Sequence, residues 1–373
     1  MSTILNYLKI AIKDQINYKN FNKYWTNLIK ENKIKDKNLH FFIDKYINSE
    51  SYKYTSKFWS TRNCKHLELL IKTGVENLDH EVSSDYFTWD NFYNSRIKNI
   101  IPHVENEKIF EKINIFKIHK NMDNFKSLQH NLLTSLLFKF MKKKDEYKYY
   151  QTLSQKKSFL LYNPIIEIDN INISQDLINS IIDIYEMEKI KKISGLNTSQ
   201  NQVILEIGAG NGRMADAILS LFKNKKYIIC DIPLASYFAF YRLNKSFINK
   251  KILCAFDISN ENDLEKKIND NDIIFILPHQ IRFLRKNLVD ITLAFDCMHE
   301  MDKKTIEFYM KNINNFSKYF FMKVWEKTKV PYSLFNFLNV HNNSYFINKN
   351  WELIEKENSL FPSNFFNLSF KIK

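Results

Sequence analysis

The chain has little glycine, proline or cysteine: five, six and four among 373 residues. That scarcity excludes collagen-like and glycine- or proline-rich low-complexity classes, and it excludes a disulfide scaffold. Cys64, Cys230, Cys254 and Cys297 are scattered, with no Cys-x-x-Cys and no His-x-x-x-His spacing, so a zinc knuckle is not indicated and the thiols read as reduced. Arginine is also rare. The net charge of +14 comes mostly from lysine spread along the chain, and the six arginines (Arg62, Arg96, Arg213, Arg242, Arg282 and Arg285) do not cluster with aromatic platforms as in nucleic-acid readers. The densest basic run, Lys142 to Lys144, is followed at once by Asp145 and Glu146 and reads as a solvated helix end. No uncharged apolar stretch reaches the roughly 18 to 20 residues that span a bilayer. The first residues lack a signal-peptide profile, and a cytoplasmic protein is expected. No repeat of fixed period occurs.

What is present is concentrated. Three of the five glycines (Gly208, Gly210 and Gly212) alternate in Val203-Ile-Leu-Glu-Ile-Gly-Ala-Gly-Asn-Gly-Arg213. Val203 to Ile207 reads as a buried strand and Met214 to Phe222 as an apolar-periodic helix, so the glycines turn the chain sharply between them. The new helix offers free N–H groups and a positive dipole end to a ligand. A phosphate-cradling loop would continue with Lys and Ser or Thr, but Arg213 and Met214 follow. The spacing G-x-G-x-G, with Glu206 two places before it, also departs from the dinucleotide pattern G-x-G-x-x-G.

Further strand-like runs follow. Lys226 to Cys230 ends in Asp231, where an acid accepts hydrogen bonds from ribose hydroxyls in Rossmann-like sites. Asp272 to Leu277 leads into Pro278-His279-Gln280. Val289 onward ends in Asp296-Cys-Met-His-Glu-Met301, at the carboxyl end of a strand, where open α/β sheets bind ligands. A helix from about Asp302 to Ser317 is expected next, with Asp302 as N-cap and Ile306, Tyr309, Met310 and Ile313 on one face. Tyr319 to Trp325 reads as a strand, and Trp351 to Glu355 with Phe365 to Lys373 as a closing antiparallel pair at the sheet edge.

The order Glu-x-Gly-x-Gly-x-Gly resembles the first motif of class I S-adenosylmethionine-dependent methyltransferases. Joined with Ile173-Ser-Gln-Asp-Leu-Ile-Asn-Ser180, Cys230-Asp-Ile-Pro233, Leu277-Pro-His-Gln280, His299-Glu-Met301 and Lys323-Val-Trp325, it resembles a family of sugar O-methyltransferases over roughly residues 165 to 330. The resemblance implies an α/β fold: a Rossmann-like seven-stranded methyltransferase sheet, its last strand reversed, with helices on both faces. It implies S-adenosyl-L-methionine as cofactor, held by Glu206, Gly208, Ala209, Gly210, Asn211, Gly212, Asp231, Ile232, His279, Gln280 and Asp296. It also implies a sugar or glycan acceptor, nucleotide-linked or anionic. His279 and Gln280 would border the adenine ring.

Residues 1 to 157 are expected to form a mainly helical domain, preceding a methyltransferase domain over 158 to 373 with a lead-in helix at about 174 to 194. Helical spacing recurs at Leu5, Leu8 and Ile12, at Leu67, Leu70 and Ile71, and at Leu132, Leu136, Leu137 and Phe140. Asp85 to Arg96, and Trp59 with Arg62 and His66, mix aromatic and polar side chains as carbohydrate sites do, which marks this half as an acceptor-binding lid. Transfer to a sugar hydroxyl needs a base; His299 is the first choice, with Glu300 to orient it or to act itself. No metal-ligand cluster is evident. An RNA or other small-molecule methyltransferase, or a non-catalytic partner of the same fold, would use the same cofactor motif.

Overall fold

The computed structural model describes residues 36–56, 59, 62–63, 66–67, 70–71, 74, 94–104, 115–119, 122–325, 328–331, 337–340 and 345–373. Residues 85–93 of the aromatic and polar stretch, and the helical spacing at Leu5 to Ile12, lie outside them.

Eight strands form one sheet: β1 Gln202–Ile207, β2 Lys225–Cys230, β3 Ile252–Cys254, β4 Ile273–Ile276, β5 Val289–Phe295, β6 Ser317–Trp325, β7 Glu352–Asn358 and β8 Phe365–Lys371. Their spatial order is β7-β8-β6-β5-β1-β2-β4-β3. Strands β1 to β6 pair in parallel, β8 runs antiparallel to β6, and β7 closes the edge as an antiparallel hairpin with β8. The sheet is a Rossmann-like α/β sheet with its last strand reversed. The departure from the expected seven strands is β3, a three-residue edge strand beside β4. Its residues are all half-buried and too few to stand out as an apolar run.

The longer helices among the described residues are α1 Lys37–Ile47, α2 Asn124–Lys144, α3 Gln175–Glu186, α4 Glu188–Ser194, α5 Arg213–Leu221, α6 Pro233–Ser246, α7 Glu261–Asp270 and α8 Lys303–Phe316. Alternation along the strands divides the core. Ile204, Tyr227, Ile229, Phe275 and Leu293 face α3, α5 and α6, whereas Leu205, Ile228, Ile274, Ala294 and Met322 face α7 and α8. Each such branched or aromatic side chain contributes about 1.5–3 kcal/mol by leaving water. Caps act where the sequence places them: Ser174 Oγ accepts from Leu177 N at 3.2 Å and Asp302 Oδ1 from Thr305 N at 2.9 Å. The lead-in helix breaks at Met187 into α3 and α4 and ends at Gly195 in the left-handed conformation.

Helices α1 and α2 pack on the α3/α5/α6 face and share its apolar core, whereas Tyr54 packs on Phe308 of α8 at 4.4 Å between centroids. Phe42 of α1 meets Tyr237, Phe240, Phe256 and Phe275, and Tyr237 Oη donates to Asp36 Oδ2 at 2.8 Å. Helix α2 is buried on nearly every side, and its Thr134 Oγ1 accepts from Gln175 Nε2 at 3.1 Å. After α2, Asp145 accepts from Tyr149 N and Tyr150 N, and Leu153 is buried, while Lys142 to Lys144 and Glu146 to Lys148 are exposed. No helix among the described residues is long and apolar enough to cross a membrane.

Candidate active site

Chain order reverses at β1: the path leads outward to β2 and the edge strand β3, fills in β4 between them, then crosses to β5 on the other side of β1. At such a switch point the carboxyl ends of neighbouring strands part and leave a crevice. Here it is a cavity of about 390 Å³ lined by Glu206, Gly208, Ala209, Gly210, Asn211, Asp231, Ile232, Asp296, His299 and Glu300, all expected from the sequence.

The glycine turn is obligatory in its backbone. Gly208 has φ +69°, and a Cβ there would stand 2.5 Å from Cys297 Cβ, so β1 and β5 could not approach. Gly212 has φ +77°, and its Cβ would meet Ala239 of α6 at 3.0 Å. Gly212 is thus a helix–helix contact and does not line the cavity. Asn211 is committed to the protein itself: Nδ2 donates to Asp176 Oδ2 at 2.8 Å, while Oδ1 accepts from Arg213 N and Arg242 Nη1, both at 3.2 Å. Arg242, fully buried, pairs with the same Asp176 oxygen. The turn is therefore fixed before any ligand arrives.

Asp231 closes the turn from β2. Its Oδ2 accepts from Gly210 N at 2.8 Å and its Oδ1 from Ile232 N at 2.7 Å. Burial outweighs these bonds and pushes its pKa up to about 7. Burial also raises Glu206 to about 8, although Tyr227 Oη donates to its Oε2 at 2.7 Å.

Behind the turn lies a buried ion cluster. Asp183 of α3 binds Arg213 Nη2 with one oxygen and Lys323 Nζ with the other, both at 2.6 Å. Lys323 also pairs with Glu186 Oε2 at 3.0 Å and donates to Phe361 O. Burial opposes the charge on Arg213 and Lys323, yet the surrounding carboxylates hold both pKa values above their ordinary range. Arg213 reaches Asp296 at 3.7 Å. Asp296 has φ +54°, a conformation few non-glycine residues hold, and its Oδ1 is buried with no hydrogen-bond partner.

Beyond β5, His299 and Glu300 sit in a single helical turn, Met298–Glu300. His299 is 3% exposed, stacked on Trp325 with 5.0 Å between centroids and met edge-on by Phe365. Burial lowers its pKa to about 3, so the ring is neutral at physiological pH. Glu300 is half-buried, accepts from Trp59 Nε1 at 3.1 Å, and is raised by burial to about 8. Trp59 and Arg62 line the cavity with Glu300, whereas His66 does not.

His279 and Gln280 depart from expectation, since neither lines the cavity. The Gln280 amide is wholly buried: Nε2 donates to the carbonyls of Ala255, Phe256 and Ile258, and Oε1 accepts from Leu277 N. It fastens one loop to another. His279 Nδ1 lies 3.3 Å from Ser51 Oγ. Sequence reasoning missed Arg213, Asn179 and Tyr54 in the lining, and Asp183 and Glu186 behind it. A signal existed for two of the ions: Asp183 and Lys323 each interrupt an apolar run, and a charge in such a run needs a buried partner. Among the described residues no three His, Cys, Asp or Glu side chains are grouped as metal ligands.

No family model and no curated protein matches the sequence. Solved structures with a similar fold include a SAM-dependent methyltransferase from Aquifex aeolicus, at 13% identity over 52% of this chain and 96% of that one, TM-score 0.31. They also include magnesium protoporphyrin IX methyltransferase from Synechocystis PCC 6803, at 5% identity over 53% and 83%, TM-score 0.33. TehB from Haemophilus influenzae is similar at 16% identity over 51% and 62%, TM-score 0.30. These TM-scores are too low for the likenesses to bear on function, and the fold assignment stands on the strand order itself. Nothing in them points to a sugar as acceptor.

Proposed function

We propose that the cavity binds S-adenosyl-L-methionine and that the chain transfers a methyl group to a hydroxyl of a sugar, nucleotide-linked or part of a glycan precursor. The observation that carries the cofactor reading is the unpartnered Asp296 Oδ1, buried beside a glycine turn that is already hydrogen-bonded to Asp231. A buried carboxylate oxygen without a donor favours a cationic, hydrogen-bonding guest. Asp296 would hold the amino group, Asp231 the ribose hydroxyls, and the Gly208–Gly212 turn the backbone-facing side of the ligand. When bound, the cofactor supplies an electrophilic methyl group.

Glu300 is the base in this reading. An ideal catalytic base has its pKa near the working pH, and burial brings Glu300 there while Trp59 holds one oxygen in place. His299, neutral to about pH 3, is a weak base and forms the wall on which Trp325 stacks. This reverses the order of preference that the sequence alone suggested. Tyr54, Thr55, Ser56 and Trp59 also line the cavity, a mixture of aromatic and hydroxyl-bearing residues of the kind found around carbohydrates.

Calorimetric titration with S-adenosylmethionine, and separately with NAD and NADP, tests the reading. Micromolar binding of the first alone, weakened by Asp296→Asn, is expected. Binding of a nicotinamide cofactor, or of none of the three, would overturn it.

A further inference from the structure

The ions behind the glycine turn share their contacts unequally. Arg213 Nη2 of α5 lies 2.6 Å from Asp183 Oδ2 but 3.7 Å from Asp296 Oδ2. Lys323 Nζ of β6 pairs with Asp183 Oδ1 at 2.6 Å and with Glu186 Oε2 at 3.0 Å, and it donates to Phe361 O. Glu186 is occupied further, accepting from Ser359 Oγ at 2.8 Å and from Leu360 N. Asp183 thus holds both cations at contact distance. Attraction weakens with separation, so Asp296 is left the smaller share of Arg213. Its backbone is fixed nonetheless: Asp296 N donates to Lys323 O at 3.0 Å.

Three carboxylates, Asp183, Glu186 and Asp296, therefore meet two cations, Arg213 and Lys323. The neighbouring groups do not close that gap at pH 6. Asp176 is matched by Arg242, His299 is neutral, and Glu206, Asp231 and Glu300, raised by burial to about 8, 7 and 8, are largely protonated. A buried negative charge is costly unless a cation or a proton accompanies it. Burial raises Asp296 to about 6 and Glu186 above its ordinary range, so without a ligand a proton serves. The place for a cation is marked by acceptors without donors. Asp296 Oδ1 has none, and neither has Oδ1 of Asn179, which is 8% exposed, lines the cavity and shares a face of α3 with Asp176 and Asp183. A primary ammonium brings three N–H donors and no acceptor.

We propose that the ammonium group of the bound methyl donor completes this ion cluster and displaces a proton from it to solvent, and that Asp183 is a positioning residue, which holds Arg213 back and so keeps Asp296 open to the ligand. The proposal rests on the methyltransferase reading of the cavity. The ammonium keeps its own hydrogens, and the displaced proton passes to the buffer. Without Asp183 the charges would balance at two and two, and Arg213 would fall to Asp296.

The test is calorimetry on the full chain in buffers of low and high ionisation enthalpy, which counts the protons released on binding. At pH 6, S-adenosylhomocysteine should release about half a proton more than its desamino analogue, which keeps the nucleoside, the sulfur and the carboxylate. The excess should vanish at pH 8, where a carboxyl that titrates near 6 has no proton left to give. Asp183→Asn should lower the affinity for S-adenosylhomocysteine about tenfold, abolish the excess release and leave the affinity for the analogue unchanged. Equal release by the two ligands at pH 6 would overturn the proposal on the wild type alone, even where Asp183→Asn does not fold. An excess undiminished in Asp183→Asn, or equal weakening of both ligands, would reduce Asp183 to a structural residue and overturn its part. Failure of S-adenosylhomocysteine itself to bind would instead remove the reading beneath it, and the proposal with it.

Discussion

The two ends of the cavity are finished to different degrees. At the glycine turn the protein satisfies itself: Asn211 meets Asp176, Arg242 and its own loop, and Asp231 takes two backbone N–H groups. At His299 and Glu300, groups from distant segments meet, with Trp59 donating to Glu300, and both side chains lie far from their ordinary proton affinities, as Asp231 and Glu206 do at the turn. A rigid, internally satisfied end suits a common ligand bound the same way each time. A displaced proton equilibrium is common to both; what suits Glu300 to a reaction is a carboxyl with its pKa near the working pH, held in place by the Trp59 indole.

The comparison breaks most visibly at Glu300. Glu300→Gln should lower kcat by about 10²–10⁴-fold while S-adenosylmethionine affinity, measured by calorimetry, changes little. The wild-type profile should also show the base. Only the carboxylate accepts a proton, and its affinity is raised to about 8, so kcat/KM should climb with pH up to about 8 and then level. A profile flat between pH 6 and 9 would remove Glu300 from this role.

At the other end the largest effect is on the backbone. Gly208→Ala adds a Cβ at φ +69° and 2.5 Å from Cys297 Cβ. The left-handed conformation costs about 1–2 kcal/mol and the overlap about 1–3, so urea unfolding should register a loss of about 2–5 kcal/mol. Cys297→Ala in the same chain should recover only part, because it removes the Sγ overlap at 2.8 Å and leaves the Cβ overlap at 2.5 Å, whereas Cys297→Gly should restore all that is due to overlap.

The same division governs what could be read from sequence. The glycine turn, Asp231, the caps at Ser174 and Asp302 and the parallel strands are local patterns, in which a few neighbouring residues carry the physical reason. The closing hairpin was equally readable from its alternation. The short strand β3 was not, since three half-buried residues at an edge carry no period. Gln280 was misplaced because an amide can serve a ligand or three carbonyls equally well, and only the fold decides which. The junction of Trp59 with Glu300 spans 241 positions, and no spacing rule reaches across it.

His299 sharpens the contrast between base and wall. With its pKa lowered to about 3, it adds no step to the activity profile above pH 5. His299→Phe keeps an aromatic ring against Trp325 and Phe365, and should cost less than about tenfold in kcat. A loss of 10²-fold or more, with cofactor affinity intact, would return the base to His299 and leave Glu300 to orient it.

The smallest effect is on the pH dependence of stability. Glu206 is 2% exposed and takes up protons more readily folded, at about 8, than unfolded. A carboxyl raised in this way contributes stability that is full below its unfolded pKa near 4.5 and lost as pH rises through about 8. Glu206→Gln keeps an oxygen for the Tyr227 hydroxyl and removes the titration. The unfolding free energy of the wild type should therefore fall more between pH 5 and 8.5 than that of Glu206→Gln, by on the order of 1 kcal/mol. Parallel curves would mean that Arg213, whose charge favours the carboxylate, keeps Glu206 ionised, and the glycine-turn end would then be no less charged than the end at Glu300.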